Sequence, residues 1–253
     1  MRLLQLDKAG VITLTEDFID AVPPYAILSH TWGNDGDEVL FADLTNGQGK
    51  QKPGYRKLQF CADRATLDGL NYFWVDTCCI DKKSSAELAE AINSMFHWYQ
   101  RAAKCYVYLV DVALGETETT NQAFDSWGPS FRESRWYTRG WTLQELLAPS
   151  HVEFFSMEGT LLGDKSSLKV QIHEITGIPI DALEGRSPLS YSIIERFKWA
   201  EHRRTKRQED KAYSLLGLFG VHMPLLYGEG FQSAFHRLCE TVNRLPKYPP
   251  IGE

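Results

Sequence analysis

Four short apolar runs, each opening into a polar cluster and separated by stretches of helical periodicity, limit what this chain can fold into. The runs are Tyr25 to Ser29, Tyr72 to Ile80, Cys105 to Val110 and His151 to Phe155. Each is nearly continuous in apolar residues rather than alternating, as expected of strands covered on both faces. Strands of that kind run parallel, and parallel neighbours need a crossover, usually a helix. The intervening sequence supplies helices. Leu58, Cys61, Ala62 and Ala65 recur at helical spacing, and Ser84 to Glu87 fits a capping box ahead of Leu88, Ile92, Met95, Phe96 and Tyr99. Phe131 to Leu147 reads as one further helix, stopped by Pro149. The order predicts an α/β layered domain with a mainly parallel sheet.

Past residue 160 the pattern turns helical, with segments at Leu168–Thr176, Ile193–Glu201, Asp210–Phe219 and Phe231–Leu245. We therefore divide the chain into an α/β domain over 1–163, a helical extension packed on it over 164–245, and a linker-like tail over 246–253. The Pro-rich tail suggests a piece of a longer protein. Gly115 to Thr120 is acidic and reads as a surface loop.

Of 253 residues, 27 are Lys or Arg and 33 are Asp or Glu, a net charge of −6. That balance argues against general binding to nucleic acid or an anionic membrane. The basic run His202 to Arg207 is followed at once by Glu209 and Asp210, so it reads as a solvated face or as internal ion-pair partners. No run is apolar enough to span a bilayer, and Asp7 and Lys8 interrupt any signal-peptide core. Five cysteines without a CxxC pair argue against a disulfide framework or a zinc ribbon, and no histidine cluster has metal-ligand spacing. These features predict a soluble, cytoplasmic protein with reduced thiols, no metal and no bound cofactor.

In an open parallel sheet, ligands bind beyond the carboxyl ends of the strands. Ser29, His30 and Trp32 follow the first run, Asp76 to Asp81 the second, and Asp111 the third. The helix holding Arg139, Trp141 and Glu145 would start near the same edge. Each residue has a plainer reading: strand-end capping for Ser29 and His30, core filling for the tryptophans, a structural partner for Asp76, an ion pair for Glu145. Cys78 and Cys79 read as buried in a strand, with thiols on opposite faces, and therefore as structural. No Walker lysine and no GxGxxG is present.

Ala26-Ile-Leu-Ser-His-Thr-Trp-Gly33, Trp74-Val-Asp-Thr-Cys-Cys-Ile-Asp81, Glu90 to Phe96 and Arg139-Gly-Trp-Thr-Leu-Gln-Glu145 together resemble the fungal heterokaryon-incompatibility (HET) domain. The stretches from Thr176 to Pro179, Glu209 to Ser214 and Met223 to Glu229 are similar to the segment C-terminal to this domain in incompatibility proteins that carry a nucleotide-binding module and WD repeats. The resemblance implies a death effector of non-self recognition, fused to nucleotide-binding and repeat sensor domains. More remotely, the order resembles Toll/interleukin-receptor (TIR) domains and implies a flavodoxin-like sheet flanked by helices. Trp141-Thr-Leu-Gln-Glu145-Leu146 is similar to the TIR element whose glutamate serves in NAD cleavage, with Thr142 in place of its Cys. By this resemblance Glu145 is the catalytic carboxylate of an NAD glycohydrolase. Ser29, His30, Trp32, Asp76, Asp81, Arg139 and Trp141 then shape the pocket for NAD, which is substrate and not cofactor. The resemblance also implies self-association. A non-catalytic adaptor acting by homotypic assembly is the alternative, and a nuclease or membrane toxin a third reading.

Overall fold

A computed structural model describes residues 1–19, 21–34, 36–114 and 124–245. The acidic stretch Gly115 to Thr120 and the tail over 246–253 lie outside the described residues. Among the described residues the sheet has seven strands: β1 (Leu4–Leu6), β2 (Ile12–Leu14), β3 (Tyr25–His30), β4 (Tyr72–Trp74), β5 (Lys104–Tyr108), β6 (Val152–Phe155) and β7 (Leu161–Asp164). Their order across the sheet is β2-β1-β4-β3-β5-β6-β7. The four central strands are parallel, and they are the four apolar runs of the sequence. Every residue of β3 is buried, which is why that run does not alternate.

The sheet is mixed rather than mainly parallel. β1 pairs antiparallel with both β2 and β4, and β7 turns back antiparallel on β6. A boundary at residue 163 would cut through β7. The second run is also shorter as a strand than it reads. After Trp74 the chain enters helix, so Asp76, Cys78 and Cys79 sit in one helical turn rather than on alternate faces of a strand.

The helices are α1 (Phe41–Thr45), α2 (Tyr55–Leu67), α3 (Asp76–Cys79), α4 (Ser85–Arg101), α5 (Phe124–Glu133), α6 (Thr142–Leu147), α7 (Lys169–Thr176), α8 (Ile180–Leu183), α9 (Ile193–Ala200), α10 (Asp210–Tyr213), α11 (Leu216–Phe219) and α12 (Gly230–Asn243). None is long and apolar enough to cross a membrane. At the start of α4 the Ser84 hydroxyl accepts from the Glu87 amide at 3.3 Å. The reciprocal arm differs from a capping box: Glu87 Oε1 accepts from the Asp81 amide at 2.7 Å and so anchors the loop before the helix. Ala91, Ile92, Met95 and Tyr99 form the buried face of α4.

The single helix read over Phe131 to Leu147 is instead three pieces: α5, a 3-10 turn over Arg135–Thr138, and α6. Two tertiary contacts override the local helical tendency. Asp111 accepts from the Ser134 hydroxyl at 2.7 Å and the Arg135 amide at 2.9 Å, which fixes the 3-10 turn. Then Arg139 pairs with Arg204 in a parallel bridge, with the Gly140 amide donating to the Arg204 carbonyl at 2.9 Å. Glycine is required at that point, since a Cβ on residue 140 would lie 2.5 Å from Thr205 Cγ2.

The segment after β7 shares one core with the sheet layers. Tyr213, Leu215, Leu216, Leu218 and Phe219 are all buried. α11 packs on α4 so closely that a Cβ on Gly217 would fall 2.1 Å from Phe96 Cβ. Asn93 on α4 completes the seam, accepting from the Met223 amide at 3.0 Å and donating to the Met223 carbonyl at 3.2 Å.

Candidate functional site

The carboxyl edge of the parallel strands opens into a cavity of about 270 Å³. His30 at the end of β3, Asp76 just past β4, and Trp141, Thr142 and Glu145 around α6 form part of its wall. Ile92 and Met95 of α4 supply apolar lining, Tyr99 brings a hydroxyl that donates to the Leu28 carbonyl at 2.9 Å, and Arg139 lies at the bridge to the extension. Lys206, Arg207, Asp210 and Tyr227 of the extension complete the wall.

Glu145 is 9% exposed. Its carboxylate accepts a short hydrogen bond from the Ser29 hydroxyl at 2.5 Å, and Ser29 accepts in turn from the Trp136 indole N–H at 2.8 Å. Ser29 is fully buried, so it supports Glu145 from behind rather than facing the cavity. Burial raises the Glu145 carboxyl to about 8, against the pull of the Ser29 bond and with a further push from the negative Asp76.

Asp76 is the hub of a second cluster. Its Oδ1 meets His30 Nε2 at 3.1 Å, while Oδ2 accepts from the Trp32 indole at 3.2 Å and from Lys82 at 3.0 Å. Burial alone would raise this carboxyl, but Lys82 and His30 hold it well below the usual carboxylate range. Lys82 also lies 3.8 Å above the Trp32 ring, which fixes that ring as a side wall. Of the three carboxyls that line the cavity, burial raises Glu145 and Asp210 while Asp76 is held low, a divergence that separates acid and base roles in enzyme sites.

Trp141 and Glu145 are joined by the first helical bond of α6, Glu145 N to Trp141 O at 3.4 Å, so both reach the cavity although no helix extends back to Arg139. Ser29, His30, Trp32, Asp76, Arg139, Trp141 and Glu145 therefore come together. Asp81 does not line the cavity: its Oδ1 accepts from the Lys83 amide at 3.0 Å in the loop before α4. Asp111 likewise serves the 3-10 turn. Among the described residues no group of three His, Cys, Asp or Glu side chains is placed to hold a metal ion.

Residues 25–126 match the family described as heterokaryon incompatibility protein (HET). Over 246 residues, 96% of its length, the chain is 54% identical to vegetative incompatibility protein HET-E-1 of Podospora anserina. This chain carries a HET domain. It spans 18% of the length of that relative. No solved structure matches it.

The HET match ends before Glu145, and the cavity extends beyond it in sequence. Two groups of the extension were not legible as parts of a site. Arg203, 7% exposed, donates to the Arg139 carbonyl and to Thr142 Oγ1, both at 2.9 Å, and to the Trp199 carbonyl at 3.2 Å. It clamps the start of α6. Burial lowers its guanidinium to about 10, still charged at neutral pH. Lys206 and Arg207 come from the basic run that reads as a solvated face. They are exposed, as that reading expects, and they also line the cavity, with Arg207 4.2 Å over the Tyr227 ring. The signal available was the adjacency of Arg207 to Asp210, but only the fold aims that segment at β3.

Cys78 and Cys79 are buried and do not line the cavity. The Cys78 thiol donates to the Val39 carbonyl at 3.0 Å, and Cys79 Sγ accepts from the Val75 amide at 3.4 Å. Burial pushes Cys78 up to about 12 and Cys79 well above its ordinary value, so neither supplies a thiolate.

Proposed function

We propose that this chain is the effector part of an incompatibility protein and that it kills by cleaving the N-glycosidic bond of NAD. The observation carrying this reading is Glu145: a carboxyl buried at the carboxyl edge of a parallel sheet, held by Ser29, with Trp141 beside it in one cavity. The parallel strands, numbered by sequence among themselves, run 2-1-3-4, which supports a flavodoxin-like, TIR-like architecture. The match to HET-E-1 supports the role in incompatibility, with sensor domains in the remaining length.

In the proposed reaction the bond between ribose C1′ and the nicotinamide nitrogen breaks. Its electron pair moves onto the ring, so a neutral base leaves without a proton donor. The ribose left behind is oxocarbenium-like, as in glycoside hydrolysis, and water then adds at C1′ and releases a proton. Glu145 in its ionised form stabilises that charge in a site with little water. Its raised carboxyl is neutral in the empty cavity at neutral pH, and the positive nicotinamide ring favours its ionised form on binding. Trp141 and Trp32 offer ring faces for stacking.

The test is incubation of concentrated protein with NAD while nicotinamide release is followed. Release that disappears in Glu145→Gln upholds the reading; no release at any protein concentration refutes it. The alternative, a non-catalytic adaptor, draws on Leu189 and Ile194, which are 57% and 67% exposed on the extension and available for homotypic contact. Self-association required for activity would make turnover per chain rise with protein concentration, and a dilution series with constant turnover removes it.

A further inference from the structure

The cavity is polarised from its buried end to its mouth. Glu145 is buried, whereas Lys206 and Arg207 are exposed. Asp76, with its side chain 23% exposed, is matched by Lys82 at 3.0 Å. Asp210, as buried as Glu145, accepts from the Tyr227 hydroxyl at 2.9 Å on its Oδ1. Neither Arg139 nor Arg207 has a carboxylate within ion-pair distance among the described residues. Two guanidinium groups thus line the cavity without a direct ion pair, although Asp210 attracts Arg207 and Glu145 attracts Arg139 at longer range.

Their settings suit a recognition role. Arg139 is tied through its own backbone to Arg204, Thr142 and Arg203, so its position follows that of α6. Arg207 is stacked on Tyr227, and a stacked guanidinium keeps its in-plane N–H groups for an acceptor in that plane. Paired guanidinium forks favour phosphate oxygens over neutral groups, through bidentate, charge-assisted bonds. The aromatic walls between mouth and Glu145 suit a sugar or base rather than a second anion.

We infer that Arg139 and Arg207 form a phosphate-binding subsite, so that the ligand of this cavity is a nucleotide with a phosphate or diphosphate rather than a bare nucleoside. The inference rests on reading the cavity as a nucleotide-cleaving site, but it concerns the mouth and is measured by binding, not turnover. It also gives the helical extension a direct part in choosing the ligand.

The test is titration calorimetry of the whole chain with ADP and with adenosine, at low and high salt. ADP is expected to bind about tenfold more tightly than adenosine, the loss of one charge-assisted bond being worth roughly that factor. The margin shrinks as salt rises. Arg207→Gln and Arg139→Gln should each remove most of the margin while adenosine binding and the melting temperature stay put; Arg207→Lys should keep part of it. Equal binding of ADP and adenosine, including binding of neither, overturns the inference. So does unchanged ADP binding in a folded Arg207→Gln variant, even if NAD is cleaved. A margin that vanishes in that variant upholds the subsite even in a protein that releases no nicotinamide.

Discussion

Replacing Glu145 with Gln keeps the shape of the side chain and removes its charge, and the structure sets opposite signs for stability and activity. Glu145 titrates at about 8 in the fold, against an ordinary value of 4.5. Between those two values the unfolded chain releases a proton that the folded chain retains. The wild-type fold is therefore favoured fully below pH 4.5 and loses stability as pH rises through the window. Each pH step in that window costs about 1.4 kcal/mol, so the whole span amounts to roughly 5 kcal/mol as an upper bound. Gln carries no such linkage. The amide oxygen can still accept from Ser29 as the oxygen of the neutral carboxyl does, so that contact survives. Chemical denaturation of both proteins from pH 5 to 7.5 should show the variant gaining on wild type by about 3 kcal/mol across the range. Over the same range the variant should release no nicotinamide from NAD, and wild-type kcat/KM should climb with pH. Parallel stability curves for the two proteins would refute the claim that the carboxyl is protonated in the fold. Turnover by a folded variant would remove Glu145 from the chemistry.

Other expectations concern the supports of the site. Arg203→Ala should lower stability by about 2–4 kcal/mol, because Thr142 and the Arg139 carbonyl lose a charged donor in a buried place, and a melting curve checks it. Gly217→Ala should cost at least about 1–3 kcal/mol, since Phe96 must move away from the new methyl; an unchanged melting temperature would mean that α4 and α11 are not packed this closely. Cys78→Ser and Cys79→Ser should each destabilise by about 1–3 kcal/mol by burying a hydroxyl, with NAD cleavage following the folded fraction. Complete loss of activity in a normally folded serine variant would instead make the thiol a reactant. A chain ending after Gly163 should fail to melt cooperatively, as it lacks the side chains that cover α4, and a transition as high as the full chain's would contradict the shared core.

The parallel strands are legible because burial on both faces leaves an unbroken apolar signature, as in Tyr25 to Ser29. β1 and β2 are not, since each is three residues long with a polar residue at its centre, whereas the equally short β4 is apolar throughout. Glu145, Trp141, His30 and Asp76 can be placed at one edge from topology alone, because parallel strands bring their carboxyl ends together. The break between α5 and α6 is hidden because its causes are remote: Asp111 and Arg204 fix Arg135 and Arg139 from elsewhere in the chain. Asp81 looks like its neighbour Asp76, and only the turn of α3 separates their directions. Lys206 and Arg207 are invisible as wall residues for a related reason. Charge next to charge suggests solvent, and nothing local records that their segment crosses the mouth of the cavity.

The wall that starts at His30 and finishes at Tyr227 has a consequence for the moment at which the site comes into being. A ribosome delivers β3, β4 and Glu145 long before Arg203, Arg207 and Tyr227. Until those residues emerge, α6 lacks the clamp at its start and the cavity lacks one side. Contacts this distant in sequence also close last and slowly, because the loop between them must be ordered before they form. The half-made chain therefore carries every residue of the inner end in an unassembled state. Under the proposed function, synthesis itself is then a safety interval, and it ends only when the final helices dock.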